Sequence, residues 1–239
     1  MKTVLSLLFL AILIFCAWTG YKKGIIMGVF SLLAFVISVY GANLLANTYS
    51  GEVIDALRPF ASGFVEVNIV DKYVRPAMGM DSNKLSVSDY FSQNPGKEEE
   101  FCVLTYENMG IHEATSEQMA EEALAYAKET GVDVTDAVVE VLCRRISFVA
   151  AFLLAFTMIL ILLTVIGNLP NLSFKIPNFD LFNDLGGLVL GFLQGICLCL
   201  VIGWALKFVG LAIPQETLSD TFLVSWFMDR SILVHFLGI

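Results

Sequence analysis

Charged residues are absent from four long stretches of the chain, Thr3–Tyr21, Gly24–Gly51, Ile146–Phe174 and Leu185–Leu206. Each reaches the roughly 20 residues that an α-helix needs to cross a hydrocarbon core. The six prolines, Pro59, Pro76, Pro95, Pro170, Pro177 and Pro214, fall outside the apolar cores of these stretches or near their ends, where proline stops a helix without costing a needed hydrogen bond. The pattern predicts four transmembrane helices. The first also has a signal-peptide layout, Lys2 followed by an apolar run from Val4 to Ala17. Against that reading, Trp18 sits where a small-residue cleavage site would be needed, and the next span follows directly.

Between the second and third spans, Glu52–Arg145 carries 18 acids against 8 bases, a net charge of −10. Asp81-Ser-Asn-Lys and Asn94-Pro-Gly-Lys read as loops. A helix is predicted after Thr115, which stands in capping-box spacing with Gln118; Met119, Ala123 and Tyr126 share one face, and Gly131 stops it. From about Asp133 a further helix keeps Val134, Val138, Val141 and Leu142 in register and runs through Arg144-Arg145 into the third span. This insert reads as a small folded cap with a thin core. After the fourth span, Phe222, Leu223, Trp226, Phe227, Leu233, Phe236 and Leu237 form an apolar stripe opposite Asp220, Asp229 and Arg230, as in a helix lying in the membrane interface or packed on the bundle. The expected fold is therefore an all-α membrane protein: four transmembrane helices as two hairpins (1–51 and 143–211), an acidic, mostly helical insert (52–142) and an amphipathic C-terminal helix (212–239).

Composition agrees. Of 239 residues, 57% are hydrophobic and 15% charged, against 45–50% apolar in ordinary soluble domains. A net charge of −9 disfavours nucleic acid as a partner, since polyanions require a basic face.

The second span opens with Gly20, Gly24 and Gly28, and the fourth opens with Gly187, Gly191 and Gly195. Four-residue spacing aligns the glycines on one helix face, so that two backbones can approach and gain the van der Waals contact that replaces the hydrophobic drive missing in lipid. The recurrence suggests two related hairpins, as in the internal repeats of transport proteins.

The run Trp18-Thr-Gly20-Tyr-Lys22-Lys23-Gly24-Ile-Ile-Met-Gly28-Val-Phe-Ser-Leu, with Asn183-Asp-Leu-Gly-Gly187-Leu-Val-Leu-Gly191-Phe-Leu-Gln-Gly195 far downstream, resembles the colicin V production (CvpA) family of bacterial inner-membrane proteins. The likeness covers about 1–48 and 143–230 and omits the insert. It departs from the family pattern at Asp184 and Gln194, where basic residues would be expected. The resemblance implies a bacterial cytoplasmic-membrane location and an inherited role in toxin biosynthesis, export or envelope homeostasis.

No catalytic constellation stands out. The only histidines, His112 and His235, sit in neither HExxH nor a His/Cys ligand pattern, and GxSxG, the phosphate-binding GxxxxGK[ST] and a strand-borne GxGxxG are missing. Glu98-Glu99-Glu100 reads as a solvated face. Cys102 and Cys143 have the option of pairing in an oxidising compartment, while Cys16, Cys197 and Cys199 read as small buried hydrophobes. No charge lies deep in a span, which disfavours a proton-coupled transporter. Asn183 and Gln194 are the candidate interhelical polar groups, Gln194 as a bond between helices or a pore-lining residue. No enzyme activity, cofactor or metal is expected.

Two functions fit: a non-enzymatic scaffold associating with itself or with membrane export machinery through its glycine faces, and an oligomeric pore lined by the same helices. Lys22, Lys23 and Lys175 lie in the short turns, and positive short loops stay in the cytoplasm, so the acidic insert is expected on the extracytoplasmic side.

Overall fold

The computed structural model describes residues 2–80, 86–168, 180–208 and 222–229, and the regular structure among them is helical throughout. Helix α1 (Lys2–Phe64) passes into a π-helical stretch, Val65–Val74, and a short α2 (Arg75–Ala77). There follow α3 (Val87–Gln93), α4 (Glu98–Asn108), α5 (Glu113–Thr130), α6 (Val134–Asn168), α7 (Asp180–Leu206) and α8 (Phe222–Asp229). Three helical stretches among the described residues are long and apolar enough to cross a membrane: Val4–Ala77, Val134–Gly167 and Leu181–Leu206. The sequence predicts four because it places a turn at Lys22-Lys23. Both lysines are instead helical, and only Gly24 leaves helical geometry, with φ 77° and ψ 178°. A backbone with φ in that range favours the one residue without a β-carbon. The first helix therefore consists of two arms, 2–23 and 25–64, meeting at one residue.

The described residues divide into two compact units. The first holds the chain up to Ala46, Ala151–Leu206 and α8. Its exterior is apolar: Leu7, Ile14, Phe15, Val36, Tyr40, Leu154, Met158, Ile161, Val189 and Phe192 are all exposed. Inside, Phe35 meets Phe156 edge-on at 5.4 Å, Phe152 meets Trp204 at 5.3 Å, and Phe9 lies 5.7 Å from Phe227 of α8. That last contact, with Val224, Phe227 and Met228 all buried, seats α8 on the bundle. The remainder of the expected C-terminal helix, 212–221 and 230–239, lies outside the described residues.

The second unit, Asn47–Ala150 with Lys207, has a fuller core than the thin one expected. Val65, Ile69, Val70 and Val74 are buried together with Phe101, Cys102, Tyr106, Met119, Ala123, Val138 and Leu142. The π-helix follows from the spacing of its apolar residues: 65, 69/70 and 74 recur too slowly for a 3.6-residue turn but fit the wider i→i+5 turn. Tyr106 fills the centre and donates its hydroxyl to the Val138 carbonyl at 3.0 Å. Phe101 meets Phe91 edge-on at 5.4 Å. Helix α5 starts three residues earlier than the capping-box spacing implies. His112 is its N-cap residue, its carbonyl accepting from Thr115 N and Ser116 N, each at 2.8 Å, and Gly131 ends the helix with φ 71°. A side-chain cap does occur at α3, where Ser86 Oγ accepts from Asp89 N at 3.2 Å. Helix α6 runs unbroken through Arg144-Arg145, as the spacing predicts. Cys102 and Cys143 are both buried and unpaired.

Candidate helix-packing site

Gly24 closes the first arm of α1, and the backbone beyond it begins a new helix whose first N–H has no partner within the arm. That N–H, of Ile25, donates to Oδ1 of Asn183 at 3.0 Å. Asn183 is 95% buried, so water does not compete for the bond. It serves as an N-cap supplied from another helix, 158 positions away.

Around this cap the glycines of the two runs meet. A β-carbon at Gly20 would press on the Gly187 carbonyl and lie 2.8 Å from Gly191 Cα. A β-carbon at Gly187 would press on the Gly20 carbonyl and lie 2.8 Å from Gly24 Cα. At Gly191 it would strike the Cys16 carbonyl and sit 2.9 Å from Gly20 Cα. Real β-carbons do not approach backbone so closely. These positions thus require glycine for close approach, and the arrangement suits Cα–H···O contacts between the helices. Gly195 is looser, 3.1 Å from Cys16 Cβ and 3.3 Å from Leu13 Cα, and Gly28 faces the Leu190 side chain at 3.0 Å. Leu190 is thereby part of the contact.

The order of contacts shows the chain direction. From Gly20 through Cys16 to Leu13 the partners advance from Gly187 to Gly195, so the first arm is antiparallel to α7. From Gly24 to Gly28 they advance from Asn183 to Leu190, so the second arm starts along α7 in the opposite sense.

The other candidate residues lie around this crossing. Gln194 is half-buried on α7. Lys22 is exposed, its Nζ 5.1 Å from the centroid of the Trp18 ring, and Trp18 stacks on Tyr21 at 6.4 Å. Lys23 stands at a small cleft lined by Ser31, Thr164 and Gly167. Lys175 and His235 lie outside the described residues. Two hydroxyls within the spans bond to their own helices: Ser38 Oγ donates to Ala34 O and Thr157 Oγ1 to Leu153 O, each at 2.7 Å.

Sequence reasoning missed the ionic centre of the second unit. Glu140, largely buried, accepts from Arg58 Nε at 2.9 Å and from Arg144 Nε at 3.0 Å, and Arg144 also lies 4.7 Å from the Tyr126 ring centroid. The i,i+4 pair Glu140–Arg144 was the available signal; Arg58 is too distant in sequence to have been linked to it. Arg145 pairs with Glu122. Glu98, Glu99 and Glu100 occupy the first turn of α4, where the helix dipole favours acids, and Lys97 pairs with Glu100, which raises the lysine's pKa. Among the described residues no three His, Cys, Asp or Glu side chains are grouped as metal ligands.

Residues 122–233 match the family model for colicin V production protein. The match starts within α5, takes in α6 and α7 and extends past α8; the Gly20–Gly28 run lies outside it. No curated protein and no solved structure matches the chain. Residues 122–233 are thus similar to the colicin V production family, in a chain with three helical stretches among its described residues that are long and apolar enough to cross a membrane.

Proposed function

We propose that this chain is a membrane protein of the colicin V production family and a non-enzymatic scaffold. In this reading four spans form two hairpins, the first reversing at Gly24, and the bundle presents the acidic unit on the extracytoplasmic side of a bacterial cytoplasmic membrane to export or envelope machinery. The observation that carries the reading is the fit of Gly20, Gly187 and Gly191 beside the Asn183 cap. Each arm of α1 exceeds the roughly 20 residues needed to span, and both arms extend from Gly24 in the same sense along α7, so that the chain reverses direction there. The glycine faces fill one another within one chain, which favours a closed structural bundle over a glycine-lined conduit. It also moves the surface for partners away from the glycines.

Two variants of the full chain in intact cells test the arrangement. An impermeant maleimide is expected to label Glu99→Cys, on the exposed surface of α4, and to reach Lys22→Cys only after lysis. The reverse pattern would overturn the orientation. Labelling of both in intact cells would overturn the four-span count, since position 99 follows the second span and position 22 precedes it.

A further inference from the structure

Lys22 and Lys23 adjoin at the end of the first arm of α1, yet they meet different surroundings. Lys22 is exposed, and its Nζ lies 5.1 Å from the centroid of the Trp18 ring, whose face attracts a cation. Lys23 is only partly exposed and lines a cleft between the second arm and the end of α6, together with Met27, Phe30, Ser31, Thr164 and Gly167. Gly167 admits the Phe30 ring against α6, where a β-carbon would press on it, and the ring forms one wall. Among the described residues no carboxylate pairs with Lys23, and the Ser31 hydroxyl has no hydrogen-bond partner.

The cleft thus offers an ammonium and a hydroxyl as donors with nothing to accept from them. That chemistry selects an anionic oxygen and repels a metal ion. There is room for about one oxygen-sized group, so a free metabolite does not fit inside. The anion enters by a single oxygen, and the rest of its molecule lies outside, where Phe30 and Ile161, one turn before Thr164, expose apolar surface. The level of the cleft in the membrane follows from the bend. Both arms run from Gly24 in the same sense along α7, and both carry exposed apolar side chains, Ile14 and Phe15 on the first, Val29 and Leu33 on the second. The bend is therefore an end of the apolar belt. Trp18 and Tyr21, exposed and stacked beside Lys22, are residue types enriched where hydrocarbon gives way to headgroups.

We propose that this cleft binds a phosphate oxygen of an anionic phospholipid, Lys23 pairing with its charge and Ser31 donating a hydrogen bond. Basic pockets between membrane helices take anionic headgroups in this way. The proposal requires the chain to sit in a bilayer but neither the scaffold role nor the orientation, so it stands or falls apart from them.

Thermal unfolding of the full-length protein in detergent tests it, with phosphatidylglycerol, phosphatidylcholine or sodium phosphate added. Phosphatidylglycerol is expected to raise the midpoint, and the other two to leave it in place. Lys23→Gln is expected to raise the concentration of phosphatidylglycerol needed by about tenfold, the loss of one charge-assisted hydrogen bond, while Lys22→Gln keeps the response. Native mass spectrometry of the unsubstituted protein, released from mixed micelles of the two lipids, is expected to retain phosphatidylglycerol in preference, and this arm does not depend on any variant folding. Equal losses in the two lysine variants would show a general effect of surface charge. An equal response to sodium phosphate would make a free anion the ligand, and equal retention of the two lipids would remove the selectivity for charge. Each of these results would overturn the proposal.

Discussion

The amide oxygen of Asn183 holds the backbone N–H of Ile25 at 3.0 Å, joining α7 to the point where the first helix breaks. N-cap side chains are worth about 0.5–2 kcal/mol in water, and here burial removes the compensation that water gives when a cap is lost. Asn183→Leu should therefore destabilise the protein by about 2 kcal/mol or more, while Asn183→Asp, which retains an acceptor oxygen, should retain more of the stability. Thermal unfolding in detergent, followed by the loss of monodisperse protein, measures the difference. Equal loss for the two variants would mean that the bond is incidental.

Gly191→Leu drives a side chain into the Cys16 carbonyl, whereas Val189→Leu adds one methylene on an exposed face of the same helix. Overpacking typically costs about 1–3 kcal/mol, and more against backbone that has no rotamer to change. The first variant should misassemble and the second should behave as wild type in expression and size-exclusion profiles. Similar profiles for both would remove close backbone approach as the reason for the glycine.

Glu140 is the buried member of its cluster, while Arg58 and Arg144 are each about half exposed. Removing the acid leaves two cations that water can reach; removing both arginines leaves a buried carboxylate without partners. Breaking a buried pair so that a charge is stranded costs about 3–5 kcal/mol. Arg58→Ala with Arg144→Ala should accordingly destabilise the second unit more than Glu140→Ala, and urea unfolding should show a lower midpoint for the double variant.

Burial, with Glu98 and Glu99 adding to it, pushes the Cys102 thiol up to about 12. The thiolate is the reactive form, and Cys102 is fully buried. At pH 8 a small permeant maleimide should leave Cys102 unmodified in the native protein and label it on denaturation, as peptide mass spectrometry would show.

Partial burial, then the charges of Glu113 and Glu117, raise the carboxyl pKa of Glu107 above its ordinary value. The folded state thus binds this proton more tightly than the unfolded state. Its contribution is fully present below the unfolded pKa and is lost as pH rises through the folded one. Glu107→Gln should gain stability at pH 7, by about 0.5 kcal/mol or less because the group is largely solvated, and nothing at pH 3. Denaturation midpoints at the two pH values measure it.

Local signals in the sequence were legible and distant pairings were not. The long apolar stretches, the Gly131 stop and the unbroken run of α6 through Arg144-Arg145 each depend on spacing within a few turns. The mutual fit of Gly20 with Gly187 and Gly191 joins positions more than 160 apart, and periodicity shows only that each run has a glycine face, not what covers it. The break at Gly24 was read as a turn at Lys22-Lys23 because charge marks a membrane boundary, whereas the geometry depends on the missing β-carbon and the Asn183 cap. In Asn47–Ala77 the sequence pattern is mixed because the helix presents apolar residues on two faces, with charges between them, which masks a simple amphipathic period. Lys175 lies outside the described residues, so the charge argument for topology rests structurally on Lys22 and Lys23.

The two glycine runs pair within one chain. Gly195→Cys would place its β-carbon 3.1 Å from that of the native Cys16, close to the 3.5–4.5 Å span of a disulfide. With Cys197 and Cys199 replaced by Ala, mild oxidation of Gly195→Cys in native membranes should give a monomer in which peptides containing positions 16 and 195 are linked, and Cys16→Ser should abolish the link. A disulfide-bonded dimer through the same two positions, or no link at all, would contradict the intramolecular pairing.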